Sequence, residues 1–128
     1  MFLAQANIAY FRWSLEDVRM AEFVQQIAPV NEIAEKSDGF VWRFTESYSP
    51  RDIGPPWNHP LLFFNMSVWR DMESLKKFVK SPQHDLIMRN RHKWLFPVSP
   101  RSSAQWWIDE ARLPTVDEAI AAISRSSD

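Results

Sequence analysis

Apolar and polar positions alternate loosely from Leu3 to Phe11, which predicts a first strand with Gln5, Asn7 and Ala9 on one face. From Leu15 the period lengthens. Met20, Phe23, Val24 and Ile27 recur at helical spacing behind Ser14 and Asp17, a capping-box variant, so a helix is expected to about Lys36. Pro29 should kink or restart it, because proline removes a backbone donor from the helix interior. Ser37, Asp38 and Gly39 read as a turn, and Phe40 to Glu46 as a second strand with Phe40, Trp42 and Phe44 on one face. The segment Tyr48 to Pro60, with four prolines, Trp57 and His59, reads as a long loop, a lid or a hairpin extension.

The run from Leu61 to Trp69 reads as a third strand. Its alternation sends Asn65, Ser67 and Trp69 to one face and Phe64, Met66 and Val68 to the other. A buried amide without a partner costs about 1 to 3 kcal/mol, so Asn65 is either satisfied by neighbours or kept for a ligand. Asp71 is the expected N-cap of a helix carrying Met72, Leu75, Phe78 and Val79. Pro82 should restart it, and a second piece to about Leu95 would bring His84, Arg91 and Trp94 near one side. Pro97 and Pro100 end that piece. Ser103 to Asp109 reads as the last strand, and Thr115 with Glu118 forms a capping box for a short terminal helix.

The resulting order, strand, helix, strand, strand, helix, strand with an added C-terminal helix, is the α+β ferredoxin-like βαββαβ pattern, in one domain spanning residues 1–128. Helices cover only one face of such a sheet. With aromatic residues on both faces, a second copy of the chain is the expected cover, making a homodimer closed by sheet packing, a dimeric α/β barrel. Arg43, opposite in facing to Trp42, is then expected in a salt bridge across that dimer.

Composition narrows the function. Hydrophobic residues make up 45% and aromatic residues 14% of the chain, with seven Trp and nine Phe, more than packing alone needs. This excess points to an apolar pocket, a self-association surface, or both. A net charge of −1 argues against a general nucleic-acid binder, and no apolar run reaches the roughly 20 residues of a membrane span. The chain has no cysteine, which excludes thiolate chemistry and fits a reducing, cytoplasmic setting. Its only glycines, Gly39 and Gly54, leave no glycine-rich nucleotide loop or nucleophile elbow. His84 and His92 stand roughly 12 Å apart along the proposed helix, too far to share a metal directly, and no metal or other cofactor is expected.

The segments Leu3 to Ala9, Gly39 to Arg43, Asn65 to Trp69 and Pro114 to Ala119 resemble a bacterial and fungal family known only as a domain of unknown function. That family is similar in turn to the antibiotic-biosynthesis-monooxygenase group of dimeric α/β barrels. The resemblance implies a pocket between sheet and helices, while the loop from Tyr48 to Pro60 departs from the family pattern. Cofactor-independent members of the wider group carry an Asn and a Trp four residues apart on a pocket-facing strand, as Asn65 and Trp69 stand here. An amide can hold a developing oxyanion and an indole can hold a planar ring. Haem-degrading members place an Asn, a Trp and a His in positions similar to Asn7, Trp69 and His84, which makes His84 a candidate haem ligand.

Three readings follow. The first is a pocket enzyme on a hydrophobic, aromatic or polyketide-like molecule, a cofactor-independent monooxygenase or a cyclase or isomerase. In it Asn65 and Asn7 hold the oxyanion, His84 is the base, and Trp69, Trp42, Arg91, Trp94 and Trp106 bind substrate. The second is a haem-binding or haem-degrading monooxygenase. The third is a non-catalytic, ligand-binding dimer module.

Overall fold

The computed structural model describes residues 1–46, 58–97 and 102–125 of the chain. The elements are β1 (Phe2–Phe11), α1 (Ala21–Lys36), β2 (Phe40–Arg43), β3 (Leu62–Trp69), α2 (Met72–Val79), α3 (Pro82–Asn90), β4 (Leu95–Pro97), β5 (Ser103–Ile108) and α4 (Val116–Arg125). One antiparallel sheet runs in the order β2, β3, β1, β4, with β5 also paired to β1. β1 is central: β3 takes one edge along residues 3–10, while β5 and β4 share the other along residues 2–7 and 9–11. This is the expected ferredoxin-like α+β fold.

Local chemistry places most of the boundaries. The Asp71 carboxylate accepts from the Ser74 backbone N–H at 2.8 Å and opens α2, and Ser81 caps α3 ahead of Pro82 at its first turn. α1 starts later than the Ser14 signal implies. Asp17 caps a short 3-10 turn, Val18–Met20, and the regular helix begins only at Ala21. Pro29 lies inside α1 without ending it; both Pro29 and Gln25, whose carbonyl it leaves without a helical donor, are exposed, so water can satisfy that oxygen. The second helical piece stops at Asn90, where a 3-10 turn over Arg91–Lys93 leads into β4, a strand the proline-flanked sequence does not announce.

In β2, the register slips by one residue between Phe40 and Trp42, a bulge at Val41. Phe40 therefore stands opposite Trp69 and Trp42 opposite Val68, so the two rings take opposite faces instead of the shared face expected. Arg43 follows Phe40 to the helix side, where its Nε donates to Glu35 of α1 at 3.1 Å, a pairing within the chain.

The two faces are covered differently. α1, α2 and α3 lie over Leu3, Phe11, Trp69 and their neighbours. On the other side Ala119 and Ile123 of α4 seal Ala6, Ile8, Leu62, Phe64 and Met66. The chain's own C-terminal helix thus buries the face for which a second copy was the expected cover. Among the described residues no helix is long and apolar enough to cross a membrane.

Candidate functional site

Antiparallel register turns alternation along single strands into rows across the sheet. On the helix side, Ser67, Gln5 and Gln105 stand opposite one another across β3, β1 and β5, and Asn65, Asn7 and Ser103 form the next row. All six side chains are uncharged amides or hydroxyls. The row before them is apolar, with Trp69, Leu3 and Trp107, and the row after them begins with Phe63 and Ala9. The polar rows divide the apolar layer under the helices in two. One cluster gathers Leu3, Ala34, Trp69 and Leu75; the other gathers Met20, Phe23, Val30, Ile87 and Trp94. Phe78 packs against both.

A hydrogen-bonded chain ties these rows together. Trp69 Nε1 donates to Ser67 Oγ at 2.9 Å, Gln5 Nε2 donates to the same oxygen at 2.6 Å, and Gln5 Nε2 also donates to Asn65 Oδ1 at 3.0 Å. Asn65 and Gln5 are half-buried, while Asn7 and Gln105 are exposed, so the rows form a shelf open at its β5 side. Trp107, 51% exposed, stands at one end of it.

His84 lies at the seam between the two clusters. Its ring meets Phe78 edge-on at 5.0 Å, and Phe78 stacks on Trp69 at 5.2 Å, so Phe78 stands between the imidazole and the indole. Its Nδ1 is buried without a hydrogen-bond partner among the described residues, as is Oε1 of Gln26 on α1. Burial pushes the imidazole below its ordinary value, outweighing the Val79 backbone and Asp85, which favour the charged form. His84 is therefore a neutral imidazole near pH 7.

The remaining candidates are spread more widely than the sequence implies. Trp69 is fully buried, enclosed by Phe78 and the edge of Phe40, and offers no face to a ligand. Trp94 is packed against Phe23, and Arg91 is exposed, its Nη1 turned back to the Met88 carbonyl; the helix that would have aligned them with His84 breaks at Asn90. Trp42 and Trp106 belong to the other face, where Trp106 Nε1 donates to Glu118 of α4 at 2.8 Å. A cavity of about 420 Å³ also lies on that side, lined in part by Trp42, Phe44, Glu46, Pro114 and Val116. The loop from Tyr48 to Trp57 lies outside the described residues. The sequence reading missed Ser67 and Gln5 as a connected pair, and Gln105, Ser103 and Trp107 altogether; only register brings them beside Asn65.

A family model described as "Domain of unknown function (DUF3291)" matches residues 2–126. The chain belongs to this family. No curated protein sequence matches this DUF3291 domain. Among solved structures it is similar to SnoaB, a cofactor-independent oxygenase from Streptomyces nogalater, with TM-score 0.59 and 14% identity over 89% of this chain and 98% of that one. It is also similar to a dabb family protein with a ferredoxin-like fold from Mesorhizobium loti, with TM-score 0.54 and 9% identity over 84% and 98% of the two chains. A protein from Chloroflexus aurantiacus proposed as an antibiotic biosynthesis monooxygenase matches with TM-score 0.53 and 15% identity over 83% and 91%. At these identities the likeness establishes the fold, a ferredoxin-like one, and leaves the chemistry to the residues.

Proposed function

We propose that the helix-side shelf of this DUF3291 domain binds a hydrophobic, aromatic or polyketide-like small molecule, and that the protein is an enzyme of the cofactor-independent monooxygenase or cyclase and isomerase type. The observation that carries the reading is the break in the helix-side core: six uncharged hydrogen-bonding side chains stand between two aromatic-rich clusters. Half-buried amides such as Gln5 and Asn65 weaken a core unless they serve something, because apolar residues there would pack without desolvation cost.

In this reading a planar molecule lies along the shelf with its ring beside Phe63, in the row next to Asn65. Its carbonyl or phenolic oxygen takes a hydrogen bond from Asn65, with Asn7 directly opposite as a second amide. Neutral His84 is the base that takes the proton from an acidic carbon of the substrate as the oxyanion forms. In the oxygenase version the resulting carbanion gives an electron pair to dioxygen, and the hydroperoxide loses water, so that CH₂ and O₂ become C=O and H₂O. In the cyclase or isomerase version the same carbanion attacks within the molecule and dioxygen is not used. The similarity to SnoaB supports the oxygenase version at the level of fold.

No observation favours the haem reading, and fully buried Trp69 has no free face for a porphyrin.

The test uses dithranol, a dihydroxyanthrone, as a probe in an oxygen-electrode assay with a parallel binding titration. Dioxygen uptake above the uncatalysed rate, lowered roughly ten- to a thousandfold in Asn65→Ala with the fold intact, supports the reading. Tight binding without turnover makes the protein a binding module. Absence of binding by dithranol and related aromatic ketones sinks the assignment of the shelf.

A further inference from the structure

We propose that Gln5 is a positioning residue that holds the Asn65 side chain with its nitrogen toward the shelf, so that the site offers a ligand a neutral hydrogen-bond donor. This inference rests on the reading of the shelf as a ligand site and adds the polarity of its central group.

An asparagine amide is a donor at one end and an acceptor at the other, and rotation by half a turn exchanges them. Something must choose. Trp69, whose indole N–H can only donate, gives that hydrogen to Ser67 Oγ at 2.9 Å and leaves the oxygen a second lone pair to accept with. Gln5 then brings its NH₂ group to the same oxygen at 2.6 Å and to Asn65 Oδ1 at 3.0 Å, so both hydrogens of one amide are used. With its carbonyl held by Gln5, Asn65 is left with Nδ2 pointing away from the network. Nδ2 has no partner among the described residues and is not buried. The register supports the arrangement: Gln5 faces Ser67 directly and reaches Asn65 on the diagonal, a distance that the longer glutamine side chain spans. Asn7, directly opposite Asn65, is exposed and makes no comparable contact, so Gln5 alone on β1 is placed to set the orientation.

The consequence is chemical selectivity. A fixed N–H donor favours ligands that present a carbonyl or a developing oxyanion at this point, and the orientation is already set before the ligand arrives. A freely turning amide would spend part of its time with oxygen facing oxygen.

The test is nuclear magnetic resonance of the full-length chain labelled with ¹⁵N-asparagine, in which only five side-chain amides appear. The Asn65 pair is assigned by its loss in Asn65→Ala. In the wild type its protons should exchange with water at the rate of a free amide. Gln5→Glu keeps the size but offers only acceptors, so the carboxylate should draw Nδ2 inward and slow that exchange by about tenfold or more. Gln5→Met should leave exchange fast while the amide becomes mobile. Asn65 protons that are already slow in the wild type, or that do not respond to Gln5→Glu, overturn the proposal.

Turnover of dithranol supplies the second arm. Gln5→Glu should lower kcat as much as Asn65→Ala does, Gln5→Met less, and the double variant Gln5→Glu with Asn65→Ala no further than Asn65→Ala alone. Equal losses in Gln5→Glu and Gln5→Met would reduce Gln5 to a packing role. If the wild type does not act on dithranol, the enzymatic reading fails while the exchange result still decides the orientation of Asn65.

Discussion

Trp69 and Ser67 point to the same face of one strand, two residues apart, and the indole Nε1 donates to the Ser67 hydroxyl at 2.9 Å with both residues buried. The contact makes Trp69 a structural anchor beneath the shelf. It fills the space between Phe40 and Phe78 and donates to the hydroxyl that the Gln5 amide also reaches.

Two substitutions separate these roles. Trp69→Ala should destabilise the fold by about 3 to 5 kcal/mol through the cavity it leaves. Trp69→Phe keeps most of the packing and should cost less, while leaving Ser67 without its donor. Urea unfolding monitored by far-ultraviolet circular dichroism measures both, and a Trp69→Ala loss below about 1 kcal/mol would contradict the anchoring role.

The pH dependence of stability should carry a signature of His84. Its folded-state pKa is lowered from 6.5 by burial, so the unfolded chain binds this proton more readily than the folded one. At higher pH both forms are neutral and the group contributes no slope. As pH falls through 6.5 the unfolded chain protonates first and stability declines, until the folded-state value is passed. The difference in urea midpoint between about pH 7.5 and about pH 5.5 should therefore shrink in His84→Gln. In the enzymatic reading kcat/KM should fall over the same acidic range.

Gly39 should resist any side chain. It closes the turn into β2 with φ at 84°, in the left-handed region, and an added Cβ would come within 2.1 Å of Ser74 Oγ, which is buried. Gly39→Ala should cost about 1 to 3 kcal/mol from backbone strain, with the Ser74 clash added to that. A thermal midpoint unchanged from wild type would show that the turn can relax.

Removal of the chain from Pro114 onward should expose Ala6, Ile8, Phe64 and Met66, which α4 covers through Ala119 and Ile123. Sedimentation velocity should then show aggregation beyond the assembly state of the full-length chain. A truncated protein that sediments as the full-length chain does would mean that α4 is dispensable for covering this face.

Local signals were legible wherever a single stretch of chain carried the physics. The Ser37 to Gly39 turn, the Asp71 cap, the restart at Pro82 and the Thr115 cap of α4 each depend on a few neighbouring residues. Failures came where a distant contact changed a local rule. Phe40 and Trp42 alternate as expected only in an unbroken strand, and pairing with β3 inserts the bulge. Arg91 and Trp94 share a side with His84 only in a continuous helix, and the tighter turn after Asn90 removes that alignment. The candidate site divides in the same way. Asn7 and Asn65 were assigned to strands of mixed polarity and do meet, whereas Trp42 and Trp106 went to the opposite face with α4.

By itself the sequence determined the types and order of the main elements and the two faces of β1 and β3, because alternation and helical spacing are properties of neighbouring residues. Tertiary structure decided which faces became rows, that α4 would close one side of the sheet, and that Gln5 would hold Asn65 across a separation of 60 residues. Those outcomes depend on strand register and on packing between elements far apart in the chain, where a shift of one residue would send every side chain of a strand to the other face.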